Sequence, residues 1–275
     1  MTFRCRGCTV PRPTSAASGG IQIASRFLTA VGGGVSRALV AVACVALSAA
    51  TATGQSAPVR RSLTQSQWLA LGRGEPVQIL ESVSTSPWPR SIVFQFIDAT
   101  PEECAAVLSD YELQATYIPR MKSSRVLGRR GVNETDVEYV IDIPIYPDER
   151  SISRQHVTVD KGEYQVHWRT VVSDSEAATS VTTGLATFSA MPNGRSGRSG
   201  TLMAHDQTVV PSSVFARVPY VRNKAIAASR DAARAIARQV ERERQVNRDV
   251  LMRQVAHLRE TLVSRTDSGK VIHYP

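Results

Sequence analysis

Cysteine is scarce in this chain of 275 residues: there are four, and Cys5, Cys8 and Cys44 all lie within the first 54 positions. Only Cys104 lies beyond them, and one thiol closes no intramolecular disulfide. The CxxC of Cys5 and Cys8 has neither a second pair nor a following strand–helix unit, so it is weak evidence for metal or redox work. Acidic residues are absent from positions 1–54, which carry five arginines, Arg4, Arg6, Arg12, Arg26 and Arg37. Without those five the chain holds 28 basic and 24 acidic side chains, so the charge of +9 falls to +4. A nucleic-acid partner is therefore not expected, since such binders more often show a concentrated basic patch interleaved with aromatics. Catalytic signatures are missing as well: there is no GxSxG, HExxH, Walker loop or GxGxxG. The five histidines, His156, His167, His205, His257 and His273, form no spaced ligand pair on a helix face. His205 and Asp206 are neighbours on a strand and face opposite ways. His156 and His167 are set to meet across the Lys161-Gly162 turn, but a metal needs a further ligand that the sequence does not supply. No metal and no cofactor are expected.

A long apolar run is lacking too. Residues 38–50 (ALVAVACVALSAA) are uncharged, but thirteen residues fall short of the about twenty that span a bilayer. Preceded by Arg37 and followed by Ala50-Thr-Ala52 and Ala52-Thr-Gly54, they fit the apolar region of a signal peptide with cleavage near Gln55. The expected divisions are a leader at 1–54, an N-terminal extension at 55–87, a core domain at 88–245 and a helical tail at 246–275. The expected location is periplasmic or secreted.

What the chain does have is a well-punctuated stretch at 92–127. Ile92, Phe94 and Phe96 alternate with Val93, Gln95 and Ile97 in the period of a strand. Thr100 then offers an N-cap, Pro101 suits the first helical position and Glu103 completes a capping box. Asp110-Tyr111 breaks that helix, a second short one runs to Ile118, and a basic strand follows from Lys122. Further strands are read at 136–145, 151–159, 163–172, 179–190 and 201–210, with turns at 84–89 and 192–200. In the third of these Tyr164, Val166, Trp168 and Thr170 share a face, and Gly184 marks a bulge or a close approach. Trp68 and Trp88 are read as packing anchors. A long helix at 213–243 turns Ile226, Ser229, Ala233, Ile236, Ala237 and Val240 to one side. Strands at hairpin spacing beside segregated helices indicate an α+β fold.

The strand at 92–97, Thr100-Pro101-Glu102-Glu103, Leu108-Ser109-Asp110-Tyr111-Glu112, Tyr117-Ile118-Pro119 and Ser123-Ser124-Arg125-Val126-Leu127 together resemble the opening of the START-like (SRPBCC, helix-grip) superfamily. That group includes the polyketide cyclase/dehydrase family and the coenzyme Q-binding proteins, and the element order agrees over 91–240. The resemblance implies a curved antiparallel sheet wrapped around a long C-terminal helix, two short helices after the first strand, and a cavity between sheet and helix. It implies a hydrophobic small molecule or lipid held there, with a cyclase/dehydrase-type enzyme as the alternative. The expected lining is Tyr139, Ile141, Trp168 and Phe188 from the sheet, with Phe215 and Ile226 from the helix. Tyr139, Thr183 and Asp206 are the polar residues that acid–base work would draw on, each with an ordinary structural explanation; no catalytic residue is assigned.

Two further features sit on the C-terminal helices. Arg230, Arg234, Arg238 and Arg242 form an i, i+4 stripe suited to an anionic membrane surface. Leu251, Val255, Leu258 and Leu262 follow a helical seam, to dock on the domain or to bind a protein partner.

Overall fold

The computed structural model describes residues 63–131, 133–143, 147–173, 179–192, 197–212 and 218–263. Helix α1 (Gln65–Gly72) opens on a capping box in which Thr64 and Gln67 satisfy each other's backbone N–H groups. Strands β1 (Val77–Val83) and β2 (Ser86–Ile97) follow. Helix α2 (Pro101–Ser109) starts as its sequence dictates, with Thr100 Oγ1 accepting from the Glu103 N–H and Glu103 Oε2 accepting from the Thr100 N–H at 2.8 Å. A 3-10 turn, Tyr111–Leu113, leads into the short α3 (Gln114–Tyr117). Then come β3 (Met121–Arg129), β4 (Glu134–Ile141), β5 (Glu149–Asp160), β6 (Glu163–Ser173), β7 (Thr179–Met191) and β8 (Gly200–Pro211). Helices α4 (Pro219–Val246) and α5 (Arg248–Val263) complete the described chain.

The strands form one antiparallel, curved, eight-stranded sheet in the order β1-β2-β8-β7-β6-β5-β4-β3. Strand β2 is covered on both sides, which is why its apolar run is unbroken. Ile92 and Phe94 pack with Leu63 and Leu71 on one face. Val93 and Ile97 belong to the main core on the other, with Phe188 and Met203 from the sheet, α2, and Ala233, Ile236, Ala237 and Val240 of α4.

Several boundaries differ from expectation. The segment read as a turn at 84–89 is mostly strand, because β2 starts at Ser86. Its prolines are tolerated since the β1–β2 ladder slips between Glu81 and Val83, leaving no regular donor position there. Trp88 is buried at 2% exposure, whereas Trp68 is 40% exposed on α1 and joins no core cluster among the described residues. Helix α4 runs three residues past the expected end, to Val246. The seam on α5 is used within the domain: Leu251, Val255 and Leu258 are buried in the main core, and α5 lies against α2 and α4. Arg259 forks onto Glu102 at 2.7 and 2.6 Å, and Gln254 Nε2 donates to Asp110 Oδ2 at 3.0 Å. Among the described residues no helix is long and apolar enough to cross a membrane.

Candidate ligand cavity

The main core fills only one end of the space under the sheet. At the other end, beneath the first half of α4, a cavity of about 290 Å³ remains. Alternation along the strands decides what faces it. Tyr139 and Ile141 enter from β4, Val166, Trp168 and Thr170 from β6, and His205, Gln207 and Val209 from β8. From α4 the wall receives Ala225, Ala228, Ser229, Ala232 and Ile236. The alanines are the reason for the space, since a larger side chain at those positions would close it. Arg120, Tyr220 and Lys224 also line the cavity and are exposed.

The floor is set by a pair of residues on adjacent strands. Trp168 stands opposite Gly184. A Cβ on Gly184 would lie 2.2 Å from Trp168 Cζ2 and 2.7 Å from the backbone oxygen of Asp206. The glycine therefore serves close approach rather than a bulge: it lets the indole lie flat across β7. There the indole reaches His205 on β8, with ring centroids 5.1 Å apart. A flat Trp168 paves the cavity instead of filling it.

The polar groups of the wall are mostly satisfied and mostly neutral. Ser229 Oγ donates to Gln207 Oε1 at 3.0 Å, and Gln155 Nε2 donates to Ser153 Oγ at 3.0 Å. Glu149, also in the wall, accepts from the Thr179 hydroxyl and from the Thr179 N–H at 3.2 Å. Burial pushes the Tyr139 phenol well above its ordinary range, so it stays protonated. Burial pushes the His205 imidazole down to about 4, so it is neutral at physiological pH. Cys104 is buried against α4 and α5, and its thiol is pushed up by that burial, away from thiolate chemistry.

Of the expected lining, Tyr139, Ile141 and Trp168 stand in the wall. Phe188 does not: it faces the same side but lies at the filled end, fully buried in the main core. Ile226 is outside the wall too, one helical position on from Ala225, which lines it; the Ile226 backbone carbonyl accepts from Gln78 Nε2 of β1 at 2.9 Å. Phe215 lies outside the described residues. Among the polar candidates, Thr183 is outside the wall, where its neighbour Thr182 stands. Asp206 faces away from the cavity and is forked by Arg90. His156 and His167 do pair across β5 and β6, at 6.2 Å between rings, but no cluster of metal-ligating residues occurs among the described residues. In the stripe on α4, Arg234, Arg238 and Arg242 are exposed. Arg230 is half-buried, and its Nε has no hydrogen-bond partner among the described residues.

The sequence reading missed His205, Gln207 and Trp88 as wall residues. Met203, His205, Gln207 and Val209 alternate along β8, so the signal for the first two was present in the strand period.

Neither a protein-family model nor a curated protein sequence matches the chain. Solved structures do match in shape. A STAR-related lipid transfer protein fragment from Xanthomonas axonopodis has a TM-score of 0.50 at 12% identity, over 60% of this chain and 93% of that one. Human STARD10 has a TM-score of 0.51 at 10% identity, over 73% of this chain and 89% of that one. At such identities the likeness is one of fold.

Proposed function

We propose, on the premise of a START-like helix-grip fold, that this protein sequesters or carries a hydrophobic small molecule in the cavity beneath α4. The observation that carries the reading is the space itself: a mostly apolar wall, held open by the alanines of α4 and floored by Trp168 over Gly184. An apolar ligand leaving water gains roughly 0.8 kcal/mol per buried methylene. At about 290 Å³ the cavity is at the lower end of the roughly 300–1,000 Å³ of small-molecule sites. That size suits one ring system or one chain better than a two-chain phospholipid. The leader-like composition of positions 1–54 supports reading this activity as one exercised outside the cytoplasm.

One experiment tests ligand and export together. The protein is expressed from its full gene, purified from the exported fraction, weighed intact and then weighed under native conditions. The expected result is a chain beginning near Gln55 with a bound mass that organic extraction removes. A chain retaining residues 1–54 inside the cell would overturn export. An empty protein that no member of a panel of fatty acids, sterols and quinones stabilises against heat would overturn the cavity reading.

The exposed arginines add a membrane arm. Arg234, Arg238 and Arg242 enter no ion pair among the described residues, and each cation near an anionic surface contributes about 1 kcal/mol, screened by salt. Arg234→Glu with Arg238→Glu is expected to abolish salt-sensitive sedimentation with phosphatidylserine vesicles and to leave the circular dichroism unchanged. Equal sedimentation of both proteins at low salt would leave the stripe as solubilising surface.

A further inference from the structure

A second cavity, of about 300 Å³, lies between α5, the β3–β4 hairpin and the turn that follows α2. One side of it is α5, which falls beyond the 91–240 stretch that resembles the superfamily. That helix is held in place by Leu258 in the main core and by Gln254, whose amide donates to Asp110 at 3.0 Å. The lining carries charge of both signs. Asp110 and Glu112 bring carboxylates from the turn, and Arg129 brings a guanidinium from the end of β3. No ion pair joins either acid to Arg129 among the described residues. Arg129 instead donates from Nη2 to Nε2 of His257 on α5 at 2.7 Å, and the other N–H groups of its fork make no hydrogen bond among the described residues. Glu112 and Arg129 are both exposed, so their unused atoms are open to an incoming molecule. The guanidinium is felt inside the cavity: burial pushes the Tyr111 phenol up, and Arg129 acts against that. Beside the charged groups the wall is apolar, formed by Val126, Val157 and Leu258.

We propose that this second cavity binds an aliphatic α-amino acid, with its carboxylate on Arg129, its ammonium on Asp110 and Glu112, and its side chain on Val126, Val157 and Leu258. A ligand with one charge satisfies one kind of group and leaves the other beside a like charge; a compact zwitterion answers both at once. The fork of a guanidinium matches a carboxylate. An ammonium only donates, which suits a pair of carboxylates that only accept. At about 300 Å³ the space is at the lower end of the range for small-molecule sites, which suits a single amino acid rather than a peptide. The two cavities share no lining residue, so this site stands or falls apart from the one beneath α4.

The test titrates probes of one carbon skeleton into the purified protein at constant pH: L-leucine; 4-methylpentanoate, which lacks the ammonium; and 3-methylbutylamine, which lacks the carboxylate. Binding is followed by nitrogen-15 shifts of the His257 ring, which lies in this cavity and not in the one beneath α4. Wild type is expected to bind leucine at least about tenfold more tightly than either analogue, the worth of one charge-assisted hydrogen bond. Arg129→Gln is expected to remove the advantage of leucine over the amine, and Glu112→Gln to reduce its advantage over the acid. Both residues are exposed, so each variant should keep the circular dichroism of wild type. A His257 ring that does not respond to leucine, leucine binding no tighter than both analogues, or a preference undiminished in both variants would overturn the inference and leave the reading of the cavity beneath α4 untouched.

Discussion

Replacing Leu251 and Leu258 together by alanine is expected to remove at least about 4 kcal/mol of unfolding free energy, measured by urea titration. Each is 1% exposed and sits in the main core with Val255. Truncation of a buried leucine costs about 2–5 kcal/mol, and the two lie about two turns apart on one face of α5, the helix that packs on α2. Domains hold only about 5–15 kcal/mol in total, so the doubly substituted protein should be close to unfolding at room temperature. Met252→Ala is the internal control: Met252 is 53% exposed on the same helix and should change stability by no more than about 0.5 kcal/mol. Arg259→Ala should cost no more than about 1 kcal/mol, since its fork onto Glu102 is exposed. A double leucine variant as stable as wild type would mean that α5 is peripheral, and would return its seam to use by another molecule.

Acid is expected to destabilise the protein well before its carboxylates titrate. His205 has a folded value near 4 against an ordinary 6.5, with burial as the cause. Between those values the unfolded chain binds a proton that the folded chain refuses. Stability is therefore full above about pH 6.5 and falls as pH drops towards 4, by about 3 kcal/mol in all. The carboxylates of Glu102 and Asp136, both lowered chiefly by hydrogen bonds from arginines, begin to withdraw their contributions only at the acid end of this window, as pH falls below the ordinary 4.5 and 3.8. His167, lowered by burial and by His156, adds to the same slope, so the variant is decisive. His205→Phe should flatten most of the loss between pH 6.5 and 4, read as urea midpoints across that range. A slope unchanged in the variant would assign the acid sensitivity elsewhere.

Much of this was legible because strand alternation and helix capping are local. Thr100 and Glu103 announced the start of α2, and the period of two put Tyr139, Ile141 and Trp168 on the face that the cavity occupies. Phe188 shows where that reasoning stops. Alternation tells which face a residue occupies, but not how far along the strand the covering helices extend; α2 packs on β7, where Phe188 is buried in the main core, whereas Trp168 borders that core and lines the cavity. Ile226 failed for a related reason. One helical position is a rotation of about 100°, enough to leave the cavity wall that Ala225 lines. Trp88 was placed in a turn because two prolines flank it, and only the irregular β1–β2 pairing shows that a strand can hold them. His205 was weighed for metal and catalysis, not as part of a cavity wall, although the strand period sets it on that face.

The pairing of β2 with β8 sets Ser91 opposite Gln207 and Ile97 opposite Thr201. A ribosome delivers the first of these strands long before the second, and α2 likewise waits for α5. Early in synthesis the chain therefore carries Ile-Val-Phe-Gln-Phe-Ile, uncharged and without proline, with its β8 partner and the helices of its main-core face still unmade. Segments of that kind stack on one another readily, and long-range pairing delays their rescue. The strand most enclosed in the finished molecule is thus the one most in need of a chaperone while the molecule is being made.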